Sequence, residues 1–296
     1  MLQLLTKTYL RLGSSMGSYD MKLQILGNNI YGVDIQPMAV EISRLRAWLS
    51  LVVDETSPKN VRPLPNLDFK FVCADTLVPL AEDGPQASLF DDFNEESLAQ
   101  LDSIMGAGYY TATDPKEKTR LREEYQYAVT SLKEASNVQG SMRLKQRMEW
   151  NPFDSGRSSE FFDSRVMFNL SGGFDIAIGN PPYIQLQKMS KDVKERYESV
   201  GYSTYESTGD IYCLFYERGF DLLRPKGVLC YITSNKWMRA AYGKSLRDYL
   251  LTKTHPIKLI DFAGTKVFES ATVDVSILLA AKDKRDSAVS ATVIRD

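Results

Sequence analysis

FDIAIGNPPYI, residues 174–184, joins an apolar run to a rigid loop. Phe174, Ile176, Ala177 and Ile178 have the composition of a buried strand, which Gly179 ends. Asn180, preceding a proline, is driven out of the helical region. Pro181 and Pro182 each fix φ and remove an N–H. The loop is therefore stiff and presents two acceptors, the side-chain oxygen of Asn180 and the carbonyl of Pro181.

Two acceptors at one point suit a nitrogen that carries two N–H groups, such as the exocyclic amino group of a nucleobase. The lone pair of that nitrogen is normally spread into the ring. Accepting a hydrogen bond from each N–H favours a tetrahedral nitrogen and frees the lone pair to attack an electrophilic methyl. The same acceptors would stabilise the positive charge that develops on nitrogen. Tyr183 would stack on the base after it is flipped from the duplex. A bare Asn-Pro-Pro turn is the plain alternative.

Elsewhere the chain alternates strands and helices. IYGVDI (30–35) is a short apolar strand, and Pro37 stands at a first helical position. Met38, Ile42, Leu45, Leu49 and Val52 recur at helical spacing, which predicts a helix over 37–53. A Pro-rich link, SPKNVRPLPN, leads to the strand FKFVCA (69–74). Residues 79–172 are charged and mostly helical, an insertion between an N-terminal part (1–78) and a catalytic half (173–296). The α/β alternation then resumes with a helix over 210–223, VLCYIT (228–233), a helix over 239–251, IKLIDF (257–262) and VSILLAA (275–281). Such runs imply a parallel sheet with helices on both faces. Ligands then bind beyond the carboxyl ends of its strands, where Asp34, Asp75 and Asn180 stand.

Composition narrows the chemistry. The 296 residues contain one histidine, His255, expected in a loop, so a His-based metal site or a Ser-His-Asp triad is not expected. Cys73, Cys213 and Cys230 are far apart and odd in number, which predicts neither a disulfide framework nor a zinc cluster and fits a reducing cytoplasm. No apolar stretch has membrane-spanning length. Net charge is −2, yet six Lys or Arg stand against one acid between Lys236 and Lys258. That local excess would serve a phosphate backbone or a plain solvated helix face.

DIAIGNPPYI, with IYGVDIQPMAVEISRLRAWLSL before it and GDIYCLFYERGFDLLRPKGVLCYITSNKWM after it, resembles the adenine-specific DNA methyltransferases of type IIG restriction–modification enzymes and phage-defence methylases. NPFDSGRSSEFFDSRVMF (151–168) is similar to the stretch many of them carry before the catalytic strand. The resemblance implies a Rossmann-like α/β sheet, S-adenosylmethionine as cofactor and double-stranded DNA as partner. It places Asp34 on the cofactor ribose, Ile35 against its adenine and Asp75 on the adenine amino group. It makes Asn180, Pro181, Pro182 and Tyr183 the catalytic loop and Tyr242 a second aromatic against the flipped base. Lys236, Arg239, Lys244 and Arg247 would lie near phosphates. Glutamine-amide methyltransferases of proteins also use G-N-P-P-Y and are the alternative. A non-catalytic DNA-binding remnant is the third.

Two features of the family have no match in the sequence. One is the first strand with its glycine-rich turn, of the D-P-A-C-G-S-G-x-F kind; the loop GSSMGS (13–18) follows a helix-like stretch and lacks the acid. The other is a target recognition domain. With six strands where the family has seven, omission of the central one would leave a gap of about 10 Å. Each buried unpaired backbone group lining it would cost roughly 1–3 kcal/mol. Residues 4–12 could form a replacement strand, the flanking strands could pair directly, or another chain or segment could supply the piece. Unaided, the chain is expected to bind the cofactor poorly. Stacking by Tyr183 and Tyr242 should be worth about 1–3 kcal/mol each. Tyr→Phe should therefore weaken binding of adenine-containing DNA mildly and Tyr→Ala severely, as measured by titration.

Overall fold

The computed structural model describes residues 1–53, 67–82, 91–106, 114–134, 141–154, 156–265, 267, 273–284 and 288–294. The Pro-rich link falls outside them. The chain divides into two compact units, Met1–Leu170 and Ser171–Asp296.

In the first unit, β1 (Gly32–Asp34) and β2 (Phe71–Cys73) pair in parallel, with Asp34 opposite Cys73. Phe69 lies in a 3-10 turn ahead of β2 rather than in the strand. β1 runs into α3 (Pro37–Val52) through a turn in which Asp34 Oδ1 accepts the Gln36 N–H at 2.8 Å. Pro37 begins the helix where its missing N–H costs nothing. α1 (Leu2–Arg11) and α2 (Ser18–Asn28) precede β1, so residues 4–11 are helical, Leu12 caps that helix, and the segment forms no replacement strand. Tyr19, Leu26, Ala47, Leu51 and Leu67 form the core beneath these helices.

α3 turns an unexpected face inward. Val40, Ala47 and Leu51 are buried, whereas Met38, Ile42, Leu45 and Leu49 are exposed, Met38 at 70%. The helix carries two apolar stripes, and periodicity alone does not say which one meets the sheet. The remainder of the unit is helical: α4 (Asp91–Ile104), α5 (Pro115–Glu134), α6 (Met142–Glu149) and the short α7 (Ser164–Phe168). Arg147 of α6, almost fully buried, pairs with Asp102 of α4 at 2.7 Å. Residues 159–162 run beside the end of β2. Ser159 N–H donates to Cys73 O, Asp75 N–H to Ser159 O and Phe162 N–H to Val78 O, at 2.8–2.9 Å.

The second unit is a five-stranded sheet. β3 (Phe174–Gly179), β4 (Leu223–Ser234), β5 (His255–Asp261), β6 (Val275–Ala281) and β7 (Ser290–Val293) lie in the order β3-β4-β6-β5-β7. β3 is parallel to β4, but β6 runs antiparallel to both β4 and β5. This corrects the all-parallel expectation: an apolar run reports burial and not direction. β7, polar and exposed, was not foreseen, because SATV carries no strand pattern of its own. His255 opens β5 and is not in a loop.

α8 (Lys191–Val200) precedes α9 (Tyr212–Leu222), and α10 (Gly243–Lys253) follows β4. Tyr212, Tyr216 and Phe220 of α9 and Leu246 and Leu250 of α10 pack on Leu229, Tyr231, Leu278 and Ala280 of the sheet. Burial of each large apolar side chain contributes about 1.5–3 kcal/mol. Ile176 and Ile178 of β3, an edge strand of this sheet, are exposed.

Gly243 sets how α10 meets the turn before it. A Cβ there would overlap the carbonyl of Trp237, which belongs to backbone and cannot swing aside. Gly243→Ala is expected to cost about 1–3 kcal/mol, as overpacking does. Denaturant unfolding would measure the shift in midpoint, and Ser245→Ala, half-buried in the first turn of α10, would serve as a milder comparison.

Candidate functional site

Gly179 delivers the chain from β3 into the Asn-Pro-Pro-Tyr loop. A Cβ on it would meet the Tyr231 ring at 2.9 Å, so glycine allows that ring to pack under the strand end. Asn180 is exposed, Pro181 is buried and Tyr183 is half-buried. The Tyr183 hydroxyl donates to Asn180 Oδ1 at 2.9 Å. Its other acceptor, Ile232 O, is at 3.5 Å and takes at most a weak share of that single proton. This contact orients the Asn180 amide, with Oδ1 turned towards the Tyr183 hydroxyl. A second lone pair of Oδ1 remains for another donor.

The loop is stitched to a second segment. Ile211 N–H donates to Ile184 O and Leu186 N–H to Gly209 O, both at 2.9 Å. These bonds bring Asp210 and Tyr212 beside Tyr183. The Tyr212 ring meets that of Tyr183 edge-to-face, with centroids 6.3 Å apart. The Tyr212 hydroxyl lies 2.8 Å from that of Tyr242, and Tyr242 donates to Asp210 Oδ2 at 2.6 Å. Tyr183 and Tyr242, expected as two aromatic walls, are thus joined through Tyr212. Their hydroxyls are engaged, which a purely stacking role does not require. Asp210 and Tyr212 lie within the quoted GDIY stretch but carried no expected role. Only the fold shows where their polar atoms point.

Lys236, Arg239 and Lys244 are exposed. Arg247 is half-buried, and its Nη1 donates to the carbonyls of Trp237 at 2.5 Å and Ala240 at 3.1 Å. One nitrogen of that guanidinium therefore shapes the turn ahead of α10.

In the first unit, Asp34 and Asp75 follow one another across adjacent parallel strands. Asp34 is exposed at the end of β1, and Ile35 beside it is 50% exposed. Asp75 is buried, and its Oδ1 accepts the Leu77 N–H at 3.1 Å. An exposed carboxylate next to an exposed aliphatic side chain fits a nucleoside, the acid for ribose hydroxyls and the Ile for a base. Gly13, in the loop after α1, has φ +86° and nothing near its Cβ position. That loop follows a helix and not a strand, so it does not reproduce the strand–glycine turn. A separate cleft of about 460 Å³, lined by Tyr125, Lys133, Trp150, Arg157 and Phe161, holds none of the expected site residues. Among the described residues there is no His/Cys/Asp/Glu cluster able to hold a metal, and no helix is long and apolar enough to cross a membrane.

Residues 28–268 match the Eco57I restriction-modification methylase family, and the chain belongs to that family. S-adenosylmethionine is the cofactor that membership of this methylase family brings. RM.MjaORFECS2P of Methanocaldococcus jannaschii, a type II restriction enzyme and methyltransferase by its name, is 27% identical over 95% of this chain and 28% of its own length. The adenine-specific methyltransferase PglX of Lacticaseibacillus casei is 32% identical over 36% of this chain and 8% of its own. The chain thus spans 28% or less of the length of these curated relatives. A nuclease-deletion mutant of the type ISP restriction-modification enzyme LlaGI, solved with a DNA substrate mimic, shares the fold. It has a TM-score of 0.52 and 14% identity, and the match covers 99% of this chain and 20% of that one.

Burial raises the phenol pKa values of Tyr212, Tyr216, Tyr231 and Tyr242 above the ordinary value, and for Tyr242 the bond to Asp210 adds to the effect. A raised value in the folded state means that stability is fully present below about pH 10 and is lost as pH rises through the folded values. In an ultraviolet titration only part of the sixteen tyrosines should ionise near their usual pH, the rest ionising together with unfolding. A single smooth transition of all of them would contradict this burial.

Proposed function

We propose that this chain forms the catalytic-loop portion of a DNA methyltransferase acting on the exocyclic amino group of adenine. The observation that carries the reading is the Asn180 amide, exposed at the end of β3 with its oxygen end fixed by the Tyr183 hydroxyl. Asn180 Oδ1 and the Pro181 carbonyl would each accept one N–H of the target amino group. Pro181 and Pro182 keep the loop stiff, so no reorganisation is needed as positive charge grows on nitrogen. Tyr183 and Tyr242 would hold the flipped base between them. Asp34, Ile35 and Asp75 would hold the nucleoside end of S-adenosylmethionine, which supplies an electrophilic methyl when bound. The exposed Lys236, Arg239 and Lys244 would meet the phosphate backbone of double-stranded DNA. The strand and glycine turn that wrap the rest of the cofactor in this family would come from a separate segment or chain, and base reading from a recognition domain. The name of PglX, an adenine-specific methyltransferase, supports adenine as the base.

The test is a tritiated-methyl transfer to unmethylated DNA by the intact enzyme, in which this chain is joined by the strand and glycine turn, with the labelled nucleoside identified after digestion. N6-methyladenine is the expected product. Asn180→Ala should abolish transfer while thermal stability and cofactor affinity stay near those of the parent, since the side chain acts on the substrate nitrogen. Label on cytosine, label on a protein glutamine, or retained transfer by the Asn180→Ala variant would overturn the reading.

A further inference from the structure

Asp210 and Tyr212 stand outside every role assigned above, yet both are buried against the two tyrosines that would grip the base. Proton accounting gives their bonds a direction. The Asp210 carboxylate can only accept, so the proton at the 2.6 Å contact belongs to Tyr242. A phenol has one proton. Having given it to Asp210, Tyr242 must accept at its 2.8 Å contact with Tyr212, whose hydroxyl is therefore the donor. The chain of bonds runs Tyr212 to Tyr242 to Asp210, with every proton used once.

Phenolic O–H groups prefer the ring plane, so one bond given and one accepted fix the tip of Tyr242 and restrict its rotation. Tyr242 needs such a hold. It stands just ahead of α10, is only half-buried, and has no other hydrogen bond from its ring hydroxyl among the described residues. Tyr212 is fully buried at the start of α9 and cannot drift. Its ring edge also meets the Tyr183 ring at 90°. Asp210 in turn is held by the backbone bonds that tie residues 209–211 to 184–186. A buried carboxylate whose side-chain partner, among the described residues, is a single tyrosine is a costly way to build a turn, and it is explained if that tyrosine must be held in one orientation.

We propose that Asp210 and Tyr212 are positioning residues that fix Tyr242 relative to Tyr183, so that the two rings form a preset slot for a planar, unstacked purine. The proposal rests on the reading of Tyr183 and Tyr242 as the base-gripping pair. It predicts that the slot exists before any nucleic acid binds.

Two measurements separate the proposal from that reading. In the first, Tyr242 is replaced by 3-fluorotyrosine and followed by fluorine NMR without ligand. The parent should give one resonance at a buried shift. Asp210→Ala and Tyr212→Phe should move it towards the exposed value or broaden it, Asp210→Asn should fall between, and circular dichroism should show all variants folded. In the second, a single-stranded oligonucleotide containing 2-aminopurine is titrated, and stacking is read as quenching. Tyr183→Ala and Tyr242→Ala should weaken binding by about 5- to 150-fold, the span of one lost base–aromatic stack. Asp210→Ala and Tyr212→Phe should lose about tenfold, although neither touches the base. If the two alanine variants quench as the parent does, the base-gripping reading falls and the slot with it. If they fail to quench while Asp210→Ala and Tyr212→Phe match the parent in both measurements, the positioning role alone is overturned.

Discussion

Two backbone hydrogen bonds, Ile211 N–H to Ile184 O and Leu186 N–H to Gly209 O, hold the candidate site together. They pin the exit of the Asn-Pro-Pro-Tyr loop to the entrance of α9. Without them the prolines would make the loop stiff but would leave it aimed at nothing. With them Tyr183 sits on Tyr212, Tyr212 reaches Tyr242, and Tyr242 reaches Asp210. Each hydrogen-bonded link adds about 1 kcal/mol net, as hydrogen bonds in proteins do. Their common effect is geometric, because every member has its partner and no single side chain can rotate alone.

The loop also depends on what lies beneath it. Tyr231 of β4 packs against Gly179, while Tyr216 of α9 bonds Thr233 of the same strand at 3.0 Å and stacks on Tyr231 in a tilted contact. Trp237 and Leu246 close the same core. The strand end that presents Asn180 is therefore the rim of a densely packed aromatic cluster. Such interiors deform little. A rigid platform is what a site needs if it works by holding acceptors where charge will appear.

The first unit is organised differently. Its two short strands are held by few residues, and the stretch after α6 supports β2 by running beside its end. Asp34 satisfies the turn into α3 with one carboxylate oxygen while staying exposed. That turn bond and ribose binding by Asp34 are thus not exclusive, since a carboxylate has acceptor capacity for both. Asp75 is more deeply placed than a ligand group at a strand end usually is, and its Oδ1 already serves the backbone of Leu77.

Local chemistry settled much of this protein in advance. Asn before Pro-Pro after an apolar run could only be a rigid loop at a strand end, and Pro37 behind IYGVDI could only open a helix, because proline geometry acts within one or two residues. Other features depend on neighbours far along the chain. The antiparallel direction of β6 and the added strand β7 follow from pairing partners, to which apolar composition is blind. Which stripe of α3 is buried was undecided by period, since Met38-Ile42-Leu45-Leu49 and Val40-Ala47-Leu51 are both apolar and only the packed core selects one. Asp210 and Tyr212 were likewise invisible as a pair with Tyr242, 30 or more residues away. A hydrogen bond between side chains requires direction as well as proximity, and only the tertiary fold supplies both.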